Sequence, residues 1–414
     1  MQILLTAGIF NVILSKKFTI YIYFSGVPME FYAGRGDESM YDELMTLLNR
    51  SFEFEDGEKG FLGLLPKLYK PEYNPGYYNY VVRTPDGKLK AAVGAYDQDV
   101  YVAGVKLHSR GIGNVAVIHE ARGEGYMKLL MDMAMKEMIA DGVDFSALGG
   151  RRMRYRYFAF DSAAPIYKFR VEGHDLRHYF GDEHGGSFEF CEITSPGAPE
   201  LAEMKKLYEA ELLSSDRGDI AKFYDTLKTW RQRVFAAREK GTGRFVGYSV
   251  GHDNISELVL ANDADLDEYI HGYMKSQGLG SLGVGVPYYK KNRAARITEF
   301  AADASLGNTE RYAIINYKNV IAAFMKLAAT EAELADGRIT MLIHGFARDE
   351  KLEIAVSGGV PYVEETSKEP DVELSHFDAI NVLFSAVSPL REKLPAAPRS
   401  WLPLPLFMYH ADAV

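Results

Sequence analysis

From Gly111 to Met131 the chain reads Gly-Ile-Gly-Asn-Val-Ala-Val-Ile-His-Glu-Ala-Arg-Gly-Glu-Gly-Tyr-Met-Lys-Leu-Leu-Met, and this stretch has the chemistry to hold an anion. A β-branched run, Gly113–Ile118, enters a turn containing Arg122-Gly123-Glu124-Gly125, and a helical pattern begins at Tyr126. Glycines let the backbone turn sharply and leave their N–H groups uncovered. The first turn of a helix adds unpaired N–H donors and a partial positive charge. Together they make a cradle for a phosphate or pyrophosphate, with Arg122 as counter-charge. A dinucleotide-binding fold is disfavoured, since its third glycine is replaced by Lys128 and a strand meander precedes the turn. No Gly-Lys-Ser/Thr follows, which excludes a Walker loop.

A second chemical stretch is Gly149-Gly-Arg-Arg-Met-Arg-Tyr-Arg-Tyr-Phe-Ala-Phe160. A tyrosine hydroxyl, with a pKa of about 10, can protonate a leaving group of similar basicity such as a thiolate. Five positive residues crowd there, Arg151, Arg152, Arg154, Arg156 and Lys168, either facing phosphates or forming a solvated surface. The tail, Leu402-Pro-Leu-Pro-Leu-Phe-Met-Tyr-His-Ala-Asp-Ala-Val414, is apolar and proline-stiffened, unlike a frayed polar end.

The glycine turn needs a sheet behind it and a helix after it, and the flanking pattern supplies both. Asp42–Phe52 is helical, with Leu44, Leu47 and Leu48 on one face, and Phe61–Tyr69 is a second short helix. Tyr77–Arg83, Leu89–Tyr96 and Asp99–Leu107 read as three strands before Gly113–Ile118. Met127, Leu130, Met131, Ala134 and Met138 share a face of the helix from Tyr126 to Ala140. Asp144–Leu148 follows as a strand, and Pro196, Gly197 and Pro199 mark a boundary. Beyond it, helices, a meander, a helix, a strand and a helix loosely repeat the first order without its glycine turn. The last ~100 residues, with a hairpin at Ile339–Phe346 and Lys351–Ser357 and a helix at Ser375–Phe384, read as a small α+β module.

At 414 residues, with 47% hydrophobic and 25% charged residues, the chain suits a multidomain globular protein. It lacks a long apolar run that could span a membrane, and a net charge of −10 disfavours nucleic acid and fits either ordinary solubility or a cationic substrate. Cys191 is the only cysteine and lies in an alternating run, which reads as an inert residue in a reducing, cytoplasmic setting. No metal is expected. Residues 1–28 lack the order of charge and apolar run of a signal peptide, and read as an N-terminal extension of uncertain origin.

Arg122-Gly-Glu-Gly125-Tyr-Met127 resembles the Arg/Gln-x-x-Gly-x-Gly/Ala signature of the GCN5-related N-acetyltransferases (GNAT), with Met127 in place of the small residue. The order of segments resembles the Eis-like acetyltransferases, in which two GNAT-type domains, only the first with a pyrophosphate loop, precede a sterol-carrier-like domain. Asp336-Gly337, Leu374-Ser-His-Phe-Asp378, Leu383-Phe384 and Trp401-Leu-Pro-Leu-Pro405 carry the C-terminal part of the likeness. The resemblance implies an α+β fold with mixed, splayed central sheets: a catalytic domain at 29–190, a loopless GNAT-like domain at 191–308 and a sterol-carrier-like domain at 309–414. It implies acetyl-CoA as co-substrate, with Val115, Ala116 and Val117 along the pantetheine arm. Arg122, Gly123, Glu124, Gly125, Tyr126 and Met127 would lie at the pyrophosphate, and Gly150 beside them on the CoA side.

By the same resemblance, Tyr155-Arg-Tyr-Phe158-Ala-Phe160 matches a Tyr-x-x-Phe-Gly-Tyr/Phe motif whose tyrosine is the general acid, here Tyr155; Tyr157 alternates with it along the segment and on that spacing points away. The base is the terminal carboxylate, here that of Val414, with His410 and Asp412 as nearby alternatives. The implied reaction is acetyl transfer to a primary amine in a ternary complex, within a hexamer. The alternative is a catalytically silent acyl-CoA-binding regulatory protein. A lipid-binding module is disfavoured, because the C-terminal part is short. Phe52, Phe61, Tyr69 and Tyr80 are either acceptor lining or core.

Overall fold

The computed structural model describes the backbone of residues 18–24, 27–181 and 184–414, with side chains from Phe31 onward. Most of the expected extension over residues 1–28 lies outside the described residues. The fold is mixed α+β, and the chain forms two compact units. Among the described residues, the first holds those up to Asp97, Arg110–Asp141 and Val414, and the second Gln98–Ser109 and those from Gly142 to Ala413.

In the first unit, β1 (Phe18–Phe24) pairs antiparallel with β2 (Val27–Arg35), which pairs with β3 (Asn79–Arg83). Next come β4 (Leu89–Val102) and β5 (Val105–Val117), both long enough to run on into the second unit. The sequence pattern divides this region into three strands, Leu89–Tyr96, Asp99–Leu107 and Gly113–Ile118. The structure makes it one long hairpin instead. Its turn is at Ala103–Gly104, where φ is +48° and +77°, the left-handed pair that suits a tight hairpin. Asp97 and Gln98, which look like turn residues, sit inside a strand whose pairing overrides their local preference.

The helix Tyr41–Ser51 buries Leu44, Leu47 and Leu48, as its spacing predicts. The expected helix at Phe61–Tyr69 is two short turns, Phe61–Leu64 and Pro66–Tyr69, because Pro66 cannot continue the first. The helix Tyr126–Ala140 packs over β2 and β3 with Leu130, Met131, Ala134 and Met138 buried, while Met127 is only half-buried.

In the second unit, β6 (Phe145–Leu148), Asp303–Ile314, β7 (Asp161–Glu172), Ser281–Pro287 and Asn254–Ile255 lie in that order in one sheet, antiparallel except for the last pair. A separate antiparallel sheet orders Glu257–Leu260, Phe245–Val250, Val234–Glu239 and Phe188–Glu192. Cys191 is exposed on the edge strand of that sheet. A third sheet is built on the expected hairpin, seen as Gly337–His344 and Asp349–Ser357, with Val360–Glu365 outside one strand and Val372–Ser375 parallel to the other. No described helix is long and apolar enough to cross a membrane.

Candidate active site

β5 carries the first part of the site. Asn114 interrupts the strand with φ +39°, an unusual value for a non-glycine residue. A buried network holds it there. Tyr69 Oη donates to Asn114 Oδ1 at 2.6 Å, and Asn114 Nδ2 donates to Asn79 Oδ1 at 2.7 Å. Asn79 Nδ2 in turn donates to Tyr96 Oη at 3.0 Å and to the Pro75 carbonyl at 2.8 Å. Tyr69 and Tyr80, offered by the sequence as acceptor lining or core, are both fully buried, whereas Phe52 is exposed. None of the Asn114 network carries a recognisable motif; only an asparagine inside a β-branched run hints at it.

After β5 the chain makes one 3-10 turn at His119–Ala121 and then the glycine turn. Gly123 and Gly125 take φ +93° and +82°, where an L side chain is strained. A Cβ added at either glycine would meet nothing within 4 Å, so the backbone there faces open space. The helix starting at Tyr126 has Gly125 as its N-cap, and no side chain caps it. The donors and partial positive charge of that helix end are therefore left for an external anion. Arg122, Gly123, Glu124 and Gly125 are exposed, and Met127 is half-buried. The Tyr126 ring is buried edge-on against Phe31 with centroids 5.5 Å apart, so only its amide can serve the cradle. In β5, Ala116 is buried, while Val115 and Val117 are partly exposed.

Val414 lies in the same compact unit as residues 110–117 of β5. A Cβ on Gly111 would come within 2.6 Å of Val414 Cγ2, and one on Gly113 within 3.0 Å of the Val414 carboxyl carbon. The chain end thus seats on a bare stretch of β5 that only alternating glycines provide. Glycines in a strand interior commonly mark such close approaches, so Gly111 and Gly113 are the signal that sequence reasoning passed over.

The second unit holds Gly150 and Tyr155. The segment pictured as alternating is helical instead: a turn at Arg152–Tyr155 and a 3-10 turn at Arg156–Phe158. Tyr155 is buried and Tyr157 is 65% exposed, so the two point apart as expected, though for a helical reason. Gly150 has φ +129°, and a Cβ there would lie 2.8 Å from Tyr155 Cε2. Glycine at 150 therefore makes room for the tyrosine ring. Burial pushes the Tyr155 hydroxyl above the ordinary tyrosine range, with Arg154 drawing it partly back. Arg152 and Arg156 pair with the buried carboxylate of Asp161, so two of the five clustered positives have a structural partner.

His376, from the helix His376–Phe384, braces the turn that follows Tyr155. Its Nε2 lies 2.8 Å from the Ala159 carbonyl and its Nδ1 3.0 Å from Tyr317 Oη, so Nε2 carries the proton toward Ala159. Ala159 itself has φ +71°. Of the alternative bases, Asp412 has both carboxylate oxygens engaged by Arg217, and His410 is exposed and stacked on Trp230. Among the described residues no group of three or more His, Cys, Asp and Glu side chains could hold a metal ion.

A strand, a glycine turn with two left-handed residues and an uncapped helix end are what a GNAT acetyl-CoA loop consists of, and the family model for the GNAT acetyltransferase domain matches residues 35–161. Solved structures extend the fold likeness over nearly the whole chain. The GCN5-related N-acetyltransferase of Kribbella flavida is 18% identical with a TM-score of 0.63, covering 93% of this chain and 99% of its own. The GCN5-related N-acetyltransferase of Anabaena variabilis ATCC 29413 is 13% identical with a TM-score of 0.64, covering 92% and 98%. Eis1 of Mycobacterium abscessus is 11% identical with a TM-score of 0.60, covering 89% and 94%. At these identities the likeness establishes the fold. No curated protein matches the sequence.

Proposed function

We propose that this GNAT protein is an acetyl-CoA-dependent N-acetyltransferase of Eis-like type, acting on a primary amine by direct transfer in a ternary complex. The observation that carries the reading is the seating of the Val414 carboxyl carbon against Gly113 on β5. Val115 follows two residues later, about 7 Å along the strand. A base on the chain's end and the pantetheine side of the cofactor site thus share one strand.

In this reading the amides of residues 122–127 and the Arg122 side chain hold the pyrophosphate. The backbone of Val115, Ala116 and Val117 aligns the pantetheine arm, and Gly150 leaves room for Tyr155. The amine nitrogen attacks the thioester carbonyl, a C–N bond forms and the C–S bond breaks. An α-carboxylate is a weak base, with a pKa of about 3.5 in water. It can take the amine proton because that proton becomes acidic as the nitrogen gains positive charge. Tyr155 gives its proton to the departing thiolate, and its raised pKa keeps it protonated through the neutral range. We further propose, on the Eis-like resemblance, three domains at 29–190, 191–308 and 309–414, the last sterol-carrier-like, a cytoplasmic setting and assembly as a hexamer.

The test is release of free thiol from acetyl-CoA with a panel of polyamines, aminoglycosides and lysine peptides. Amine-dependent release that falls in Tyr155→Phe is expected. Acetyl-CoA binding with no release for any amine would instead support the silent regulatory protein.

A further inference from the structure

Three deeply buried charges of the second unit meet two residues before the chain's end. Arg217, Glu257 and Asp412 have side chains 0–1% exposed. Arg217 Nε donates to Asp412 Oδ1 at 2.8 Å and Nη2 to Asp412 Oδ2 at 3.0 Å. The same guanidinium grips Glu257 with two further bonds of 2.9 and 2.7 Å. Tyr208 Oη donates to Asp412 Oδ2 at 3.2 Å, and Tyr248 Oη to Glu257 Oε1 at 2.6 Å. The face of the guanidinium lies 3.8 Å from the Tyr208 ring centroid.

Packing alone does not explain such a group. Three charges removed from water are costly, and apolar residues of equal volume commonly stabilise a fold as well or better. What a bidentate, fully satisfied network adds is a single geometry. Here that geometry is imposed on a terminus, which ordinarily frays. A fixed Asp412 restricts Val414 to within about 7 Å. A second latch stands just upstream, where Trp230 Nε1 donates to the His410 carbonyl at 3.2 Å and the Trp230 ring stacks on His410.

We infer that Arg217, Glu257 and Asp412 are positioning residues, a buried clamp that holds the chain's end so that the Val414 carboxylate keeps one reactive position. The inference rests on the reading of that carboxylate as the base, but one of its tests does not. Full-length protein is treated with carboxypeptidase Y and release of Val414 is followed by mass spectrometry. The wild-type end should resist, and Asp412→Ala should lose Val414 much faster while its circular dichroism stays native. Equal rates overturn the clamp. If Asp412→Ala does not fold, Asp412→Asn serves in its place, since it keeps the shape and removes the charge.

The second test is kinetic. Asp412→Ala should lower kcat by about 100-fold, the usual scale for a reacting group displaced by about 1 Å, with KM for acetyl-CoA changed less than about twofold. In protein lacking Val414, the same substitution should cost nothing more. A further, additive loss would show that Asp412 acts by another route and overturn the inference. Unchanged turnover on deleting Val414 alone would instead reject the carboxylate as base, and the protease experiment would still judge the clamp.

Discussion

Two strand-to-helix turns in this molecule differ in what they present to an anion: one leaves its helix end open, and the other supplies its own acids. Between β5 and the helix Tyr126–Ala140 the turn is Arg122-Gly-Glu-Gly125, with an uncapped helix end facing open space. Between Glu257–Leu260 and the helix Leu266–Gln277 the chain reads Ala261-Asn-Asp-Ala-Asp265. There the Asn262 side chain accepts from the Ala264 amide at 3.0 Å, and Asp267 and Glu268 fill the first helical turn. Asp263 and Asp265 are held by Arg293 and Arg244. The second turn supplies its own negative charge, so its helix dipole is already satisfied and an external phosphate would be repelled. A strand-to-helix turn is thus left open or charge-compensated according to whether glycines or acids stand at it.

On the proposed function, chemistry belongs to one turn only. Tyr155→Phe should lower kcat by about 10²- to 10⁴-fold, the span of general acid catalysis, with acetyl-CoA affinity nearly unchanged in calorimetric titration. Next in size is Gly125→Val. It forces an L side chain to φ +82°, a strain of about 1–3 kcal/mol, and puts carbon where the anion lies, so acetyl-CoA should bind about 10- to 100-fold more weakly. Calorimetry should also find one acetyl-CoA per chain, and two equivalent sites would break the comparison.

A third prediction concerns the support behind Tyr155. Burial holds the His376 imidazole below its usual pKa, against the pull of its bond to the Ala159 carbonyl. The unfolded chain therefore binds a proton that the folded one refuses. The contribution of this histidine is complete above about pH 6.5 and is lost as pH falls below it, at up to about 1.4 kcal/mol per pH unit until the folded pKa is reached. Urea unfolding at pH 7.5 and 5.5 should show this loss in the wild type and a smaller one in His376→Gln. The smallest effect is expected at the structural turn. Asn262→Ala removes the cap of the 3-10 turn Asp263–Asp265 that leads into the helix, worth about 1 kcal/mol in thermal unfolding, and should leave acetyl-CoA affinity alone. A parallel loss of affinity would mean that the second turn also binds cofactor.

Much of this contrast was legible in the chain. The helix Tyr126–Ala140 has the bounds its pattern predicts, because a run of Leu, Met and Ala with helical spacing can bury only one face. The β4–β5 hairpin was misdivided, since Asp97 and Gln98 carry turn-like chemistry while the pairing that keeps them in a strand is long-range. The motif singles out Tyr155 but not its helical turn, because a four-residue turn leaves no periodicity to read.

By itself the sequence determined the local features: the glycines that allow positive φ, the helix that follows them, the acids at the second turn and the net charge. These depend on neighbours along the chain and on the conformations each residue type tolerates. Only the tertiary structure decided which distant residues meet. Val414 comes to rest on Gly111 and Gly113, Arg217 joins Glu257 to Asp412, and His376 reaches the Ala159 carbonyl. Such contacts arise when a core closes and buried polar groups must find partners, and no spacing in the sequence records which partner that will be.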